Sequence, residues 1–218
     1  MHDEFHIFET MKWIPGSEDE QAGFPLGHAH FRRMQSSARS LGVPFRPKDL
    51  HLALENAVHD KIVPQRVRVA IYESSRIDVE VSDFVANAAD TIWRLQLAET
   101  RLSRDDSWLR HKTSNRALYD ADRAAFCAGD QAVCDELIYL NQDGHVCEGS
   151  ITNIFVGDGA GHYLTPALDC GLLPGVLRGQ MLMEGRAIEA ELTVDALRAA
   201  PHIFVGNALR GLIPAMLA

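Results

Sequence analysis

Three stretches of this chain carry groups that could do chemistry together. Lys112 stands in Leu109-Arg110-His111-Lys112-Thr113-Ser114-Asn115-Arg116, and Glu148 opens the run Glu148-Gly149-Ser150-Ile151-Thr152-Asn153-Ile154-Phe155. Behind them comes Leu172-Leu173-Pro174-Gly175-Val176-Leu177-Arg178-Gly179, a glycine and proline turn that opens a helix. A primary amine, a carboxylate and a helix start are what a protein needs to hold pyridoxal phosphate. The amine forms the Schiff base, the carboxylate pairs with the ring nitrogen, and main-chain N–H groups cradle the phosphate. Each piece alone has an ordinary explanation: a solvated lysine, a strand-end glutamate, a plain helix start. Their order along one chain points to the cofactor.

The neighbours sharpen each role. A Schiff-base lysine needs a lowered proton affinity, which adjacent cations such as Arg110 and Arg116 favour where the side chain is desolvated. Glu148 sits at a junction whose next strand, Ile154-Phe155-Val156, runs into a core. A carboxylate facing inward there must find a partner, and a pyridinium N–H is one. Val176 and Leu177 would present free amides at the positive end of the helix, and Asn207-Ala208, after a late strand, would add a second set. Arg33 could supply a charge-assisted bond to the phosphate. Arg210 is a candidate contact for a substrate carboxylate, with a purely structural role as the alternative.

Composition narrows the partners. The chain has 218 residues, 46% of them hydrophobic, with a formal net charge of −9. That length suits one large domain or two small ones sharing a cleft. The negative charge argues against a nucleic-acid partner, whose phosphates are met by basic faces. No apolar stretch approaches the ~20 residues of a membrane helix. The start, Met1-His2-Asp3-Glu4, lacks the pattern of a signal peptide, and a cytoplasmic protein is expected. Cys127, Cys134, Cys147 and Cys170 lack CxxC spacing and read as small buried hydrophobes in a reducing compartment. The scattered histidines do not have the spacing of a metal site, so no metal is expected.

The elements that must position these groups are legible in outline. Phe5–Trp13 reads as a strand and Pro15–Glu20 as a polar hairpin or loop. His28–Leu41 has helical spacing and ends at Gly42; a second helix runs over Pro47–His59. Strand patterns cover 66–72, 77–84 and 91–97, and the charged run Ser103–Ser107 reads as a linker. A helix is predicted over 115–126, a hairpin around Asp143-Gly144, a strand pair around Gly157-Asp158-Gly159, a helix from Gly175 to about Ala190 and a strand over 202–205. The pattern is α+β, strand-rich in its second half.

With these residues in place the chain resembles the class IV aminotransferase family, the fold-type IV pyridoxal-phosphate enzymes. The resemblance runs from Phe8-Glu9-Thr10 to Ile213-Pro214-Ala215. The family's H-x-x-R-[LM] pattern is matched by His30-Phe31-Arg32-Arg33-Met34, its lysine by Lys112 and its EGSxxNxF run by Glu148–Phe155. The resemblance implies a small α/β N-terminal domain over 1–103 and a larger pseudo-barrel domain over 104–218 that carries the lysine. It also implies pyridoxal 5'-phosphate between the domains, a small-molecule substrate and a homodimer. It assigns phosphate contacts to Arg33, Val176, Leu177, Asn207 and Ala208. Lys112-Thr113-Ser114-Asn115-Arg116 and the Asn207-Ala208-Leu209-Arg210-Gly211 ending are closest to the 4-amino-4-deoxychorismate lyases of the family, implying pyruvate and 4-aminobenzoate as products and a functional link to aminodeoxychorismate synthase. An aminotransferase acting on branched-chain or D-amino acids, and a pyridoxal-phosphate-binding protein without turnover, are the alternatives. Two departures stand out: a short N-terminal region and no glycine-rich loop after Tyr72.

Overall fold

Alternating burial along the first strand, β1 (His6–Trp13), organises the first half of the molecule. In the computed structural model, which describes residues 4–16, 23–129 and 132–218, Ile7, Met11 and Trp13 enter one apolar core from this strand. The acidic start up to Asp3, and most of the loop expected over Pro15–Glu20, lie outside the described residues. The chain divides into two compact units, Met1–Ala86 with His111–Asn115, and Asn87–Arg110 with Arg116–Ala218.

In the first unit β1 pairs antiparallel with β2 (Gln65–Tyr72), which pairs antiparallel with β3 (Ile77–Asp83). Helices α1 (Gly27–Leu41) and α2 (Pro47–Val58) lie within one residue of their expected bounds. They contribute Met34, Ala38, Leu50, Leu54 and Val58 to the core, against Val67, Val69 and Ile71 of β2. Burial of this apolar area is the main force holding the unit together. The lysine segment, grouped by sequence with residues 104–218, packs in this unit. Phe8 N–H donates to Lys112 O at 3.0 Å and Ser114 N–H to His6 O at 2.9 Å, so 112–114 lies as an extra strip along β1.

The second unit is built on one eight-stranded mixed sheet in the order β6-β5-β4-β11-β10-β7-β8-β9. Its strands are β4 (Trp93–Leu102), β5 (Glu136–Asn141), β6 (Val146–Gly149), β7 (Asn153–Gly157), β8 (Tyr163–Pro166), β9 (Ala187–Ala190), β10 (His202–Asn207) and β11 (Gly211–Leu217). β4 runs parallel to β5 and to β11, and β8 parallel to β9; the remaining neighbours are antiparallel. Helices α3 (Ala117–Phe126), α4 (Val176–Met183) and α5 (Val194–Ala199) accompany it. The fold is α+β, and this curled mixed sheet forms a half-barrel.

Several boundaries differ from those read in the sequence. The helix expected from Gly175 to Ala190 stops at Met183, because Gly185 takes φ +69 and turns the chain back. Residues 187–190 then form β9, which pairs with β8 through Tyr163↔Ala187 and Thr165↔Glu189. β4 continues to Leu102 past an irregular register between Leu97 and Arg101. The Ser103–Ser107 run is a turn leading into a single 3-10 turn at Ser107–Arg110. α5 and β11 carry no pattern strong enough to have been expected. All four cysteines are free thiols, three of them buried. Among the described residues, no helix is long and apolar enough to cross a membrane.

Candidate active site

In the first unit, a carboxylate that the sequence reading passed over sits at the centre of the polar groups. Glu9, only 1% exposed, shares a face of β1 with Ile7 and Met11 and meets α1. Arg33 Nε donates to its Oε1 at 2.7 Å and Arg33 Nη2 to its Oε2 at 2.7 Å, a two-pronged pair. His30, one helical turn before Arg33, shares Oε2 at 2.8 Å through Nδ1. Burial works to raise the Glu9 pKa, but the Arg33 charge and the hydrogen bonds from His30 and Arg33 outweigh it and bring the value to about 2. Glu9 therefore remains a carboxylate and fixes the orientation of Arg33. His30 Nε2 is buried without a hydrogen-bond partner.

Lys112 is half-buried on the opposite face of β1, its Nζ 4.6 Å from the centre of the Phe8 ring. Arg68 on β2 lies 4.5 Å from the same ring centre. Within this unit Arg68 is thus the cation that shares an aromatic neighbour with Lys112. Arg116, expected to act on the lysine, gives its Nε to Asp120 at 2.7 Å and its Nη2 to Ser150 O at 3.3 Å in the second unit. Next to the lysine, His111 Nδ1 pairs with Ser37 Oγ at 3.0 Å, and burial pushes its pKa down. β1 thus carries both predicted residues of this unit: Arg33 through Glu9, and Lys112 through the Phe8 main chain.

In the second unit the structure brings together Glu148, the α4 start and the turn after β10. Glu148 is 6% exposed at the end of β6. Tyr119 Oη donates to its Oε1 at 2.9 Å, and Leu173 N–H donates to its Oε2 at 2.9 Å. The loop that follows is held by Glu136, at the head of β5 and fully buried. Glu136 accepts from Ser150 N–H at 3.1 Å, Ile151 N–H at 3.2 Å, Thr152 Oγ1 at 2.8 Å and Arg123 Nη1 at 3.1 Å, and from the Ser150 hydroxyl. One carboxylate thereby satisfies the donors of a turn that would otherwise be buried unpaired.

The two predicted anion-binding segments are adjacent. No side chain caps α4, so the amides of Val176 and Leu177 are those that a helix leaves unbonded at its start. Arg178, in the first turn, is buried and donates to Pro166 O at 2.8 Å and to Glu189, which anchors the helix to β8 and β9. Gly206 on β10 lies against this helix start: a Cβ there would come 2.8 Å from Gly211 O and 2.9 Å from Leu177 Cδ2. Asn207 uses its side chain to hold the turn, donating to Ile151 O at 3.2 Å and accepting from Leu209 N–H at 3.1 Å and Arg210 N–H at 3.0 Å. Asn207 and Ala208 are half-buried, while Arg210 is exposed.

Glu9, Tyr119 and Glu136 are the site residues the sequence reading missed. For Glu9 a signal existed: a carboxylate in phase with Ile7 and Met11 on an apolar strand face requires a buried partner. Tyr119 and Glu136 act over sequence distances of 29 and 14 residues, and nothing local marks them.

A buried carboxylate beside an uncapped helix start, with a neighbouring turn where a Cβ cannot fit, suits a pyridine ring with a phosphate tail. The two units have the architecture of a fold-type IV pyridoxal-phosphate enzyme. Residues 6–217 match the class IV amino-transferase family, and the chain belongs to it. Its cofactor is pyridoxal 5'-phosphate, as throughout that family. A solved structure from Mesorhizobium loti, provisionally titled an amino-acid aminotransferase, is 42% identical, with a TM-score of 0.90 over 99% of this chain and 100% of that one. A Schizosaccharomyces pombe protein provisionally named aminodeoxychorismate lyase is 28% identical over 84% of this chain and 79% of its own length. A Thermotoga maritima protein, provisionally named a branched-chain-amino-acid aminotransferase, is 31% identical over 37% of this chain, a stretch that spans 31% of that protein.

The close approach at Gly206 makes a local test. Gly206→Ala is expected to push Leu177 and the α4 start apart and to weaken pyridoxal-phosphate binding by about tenfold, a cost of ~1.4 kcal/mol within the range for overpacking. Fluorescence titration of apoprotein with the cofactor reads this directly, and an unchanged affinity would remove Gly206 from the cradle.

Proposed function

We propose that this chain is a 4-amino-4-deoxychorismate lyase, cleaving its substrate to pyruvate and 4-aminobenzoate. The observation that carries the reading is the likeness to the fission-yeast lyase over 84% of the chain. The Lys112–Arg116 run and the Asn207–Gly211 ending add to it. In this reading Lys112 is the Schiff-base lysine and Glu148 the partner of the ring nitrogen. Arg33 and the main-chain amides of Val176, Leu177, Asn207 and Ala208 bind the phosphate, and Arg210 meets a substrate carboxylate. The bound cofactor supplies an electron sink. Lys112 Nζ takes the proton from the amine-bearing ring carbon of the substrate. The bond from the ring to the enolpyruvyl oxygen then breaks, the departing enolpyruvate takes up a proton to become pyruvate, equal to the one Lys112 removed, and aromatisation of the ring drives the cleavage. A cytoplasmic homodimer, fed by a synthase that aminates chorismate, completes the proposal.

A second reading, an amino-acid aminotransferase, is favoured by the Mesorhizobium structure, which matches across both chains. It uses the same Lys112 and Glu148 but needs a 2-oxo acid. The two readings separate in one assay: pyruvate release from 4-amino-4-deoxychorismate with no 2-oxo acid present. The lyase reading expects pyruvate and 4-aminobenzoate in equal amounts. Absence of both, with transfer of an amino group from an amino acid to a 2-oxo acid, would establish the aminotransferase instead.

A further inference from the structure

The phenol of Tyr119 donates to Glu148 Oε1 at 2.9 Å, and its own surroundings hold it in place. Tyr119 lies in the first turn of α3, with its ring edge-on to Tyr139 at 4.9 Å between centroids. Tyr139 is fully buried and is itself pinned, its Oη donating to Asp122 Oδ2 at 2.8 Å. The Arg116 guanidinium lies 5.8 Å from the Tyr119 ring centre. The Tyr119 hydroxyl therefore has a fixed aim, and that aim is Glu148 Oε1. Burial and the Glu148 charge push the Tyr119 pKa up, so the phenol stays a donor throughout the physiological range.

We propose that Tyr119 is a positioning residue that keeps Glu148 oriented and anionic, so that the cofactor's ring nitrogen keeps its proton. The inference rests on the assignment of Glu148 to that nitrogen. A hydrogen bond donated to a carboxylate favours its charged form. In a carboxylate–pyridinium pair, such a bond moves the shared proton towards the ring. Loss of the phenol hydroxyl shifts the proton back towards Glu148, leaving a neutral ring that is a weaker electron sink. The Leu173 amide supports the other oxygen and is untouched by side-chain replacement.

The test uses holoenzyme loaded with pyridoxal phosphate carrying 15N in the ring, read by NMR, with kcat measured alongside. The wild-type signal is expected at the position of a protonated ring nitrogen. Tyr119→Phe, which keeps the ring and its packing on Tyr139, is expected to move that signal towards the neutral position and to lower kcat about tenfold, the worth of one hydrogen bond to a charged group. Tyr139→Phe is the control: it removes the hydroxyl of the neighbouring ring, which donates to Asp122, and is expected to leave the ring-nitrogen signal in place. A Tyr119→Phe signal unchanged from wild type, or an equal shift in Tyr139→Phe, overturns the inference while leaving Glu148 at the ring. A wild-type ring nitrogen that is already neutral, or a wild-type protein that takes up no cofactor, overturns the Glu148 assignment itself.

Discussion

Lys112→Ala is expected to remove turnover, with a loss of at least about 10³-fold, while leaving the fold intact. The residue is assigned two tasks, the covalent hold on the cofactor and the proton transfer at the substrate carbon, and no other amine replaces it. Stability should change little. The main-chain bond from Phe8 N–H to Lys112 O survives the substitution, and the side chain's contact with the Phe8 ring is worth about 1 kcal/mol. Borohydride reduction followed by mass measurement gives a second readout: the wild type should carry the cofactor covalently and the variant should not. A variant with near-wild-type rates would sink the lysine's assignment, whichever reaction the enzyme performs.

The second large effect is on stability, at Glu9. The Glu9 pKa is about 2 in the folded protein, against 4.5 for the free side chain. A group whose pKa is lowered by folding stabilises the native state fully above its unfolded value and loses that contribution as pH falls through the folded one. Stability from Glu9 should therefore be complete above pH ~4.5 and be lost by pH ~2, an amount of about 3 kcal/mol. Glu9→Gln breaks a buried ion pair with Arg33, at a cost of about 3–5 kcal/mol at neutral pH. Urea unfolding at a series of pH values checks both statements. The variant should be less stable at pH 7 and should lack the wild-type decline attributable to this carboxylate below pH 4.5. Equal stability at neutral pH would mean that Arg33 is held by something other than Glu9.

The candidate residues that the sequence offers are those whose chemistry is local. Lys112, Glu148 and the Val176–Leu177 amides each depend on a residue type next to a turn or a helix start, and such neighbourhoods are written in consecutive residues. The structure places Glu148, Val176, Leu177, Asn207 and Ala208 around one region of the second unit, and in the first it places Arg33 on α1 and Lys112 on the strip beside β1, each bonded to a residue of that strand. The supporting groups were not legible, because Glu9, Tyr119 and Glu136 gain their meaning only from partners far along the chain. The helices α1 and α2 were readable from their apolar spacing, with stop signals at Gly42 and the proline start at Pro47. The run from Met181 to Ala190 was misread because its apolar residues keep helical spacing through Gly185, and only the parallel pairing with β8 shows 187–190 as a strand. β11 was invisible for a related reason: Pro214 interrupts its pattern, yet its main-chain partners are supplied by β10 and β4.

The place of β11 also has a consequence for biosynthesis. It lies between β4 and β10, so the middle of the eight-stranded sheet is filled by the last of the described strands to leave the ribosome. β5 is complete at Asn141 and β11 at Leu217, which are 217 − 141 = 76 residues apart. At ~5–20 residues per second, translation of that interval lasts roughly 4–15 s. Throughout it, one margin of β4, and later one margin of β10, is without its final neighbour and is open to strands of other nascent chains. The first unit is spared this wait, because its three strands and the lysine strip have all emerged once Asn115 is made. Crowded, rapid expression should therefore trap the second unit before the first.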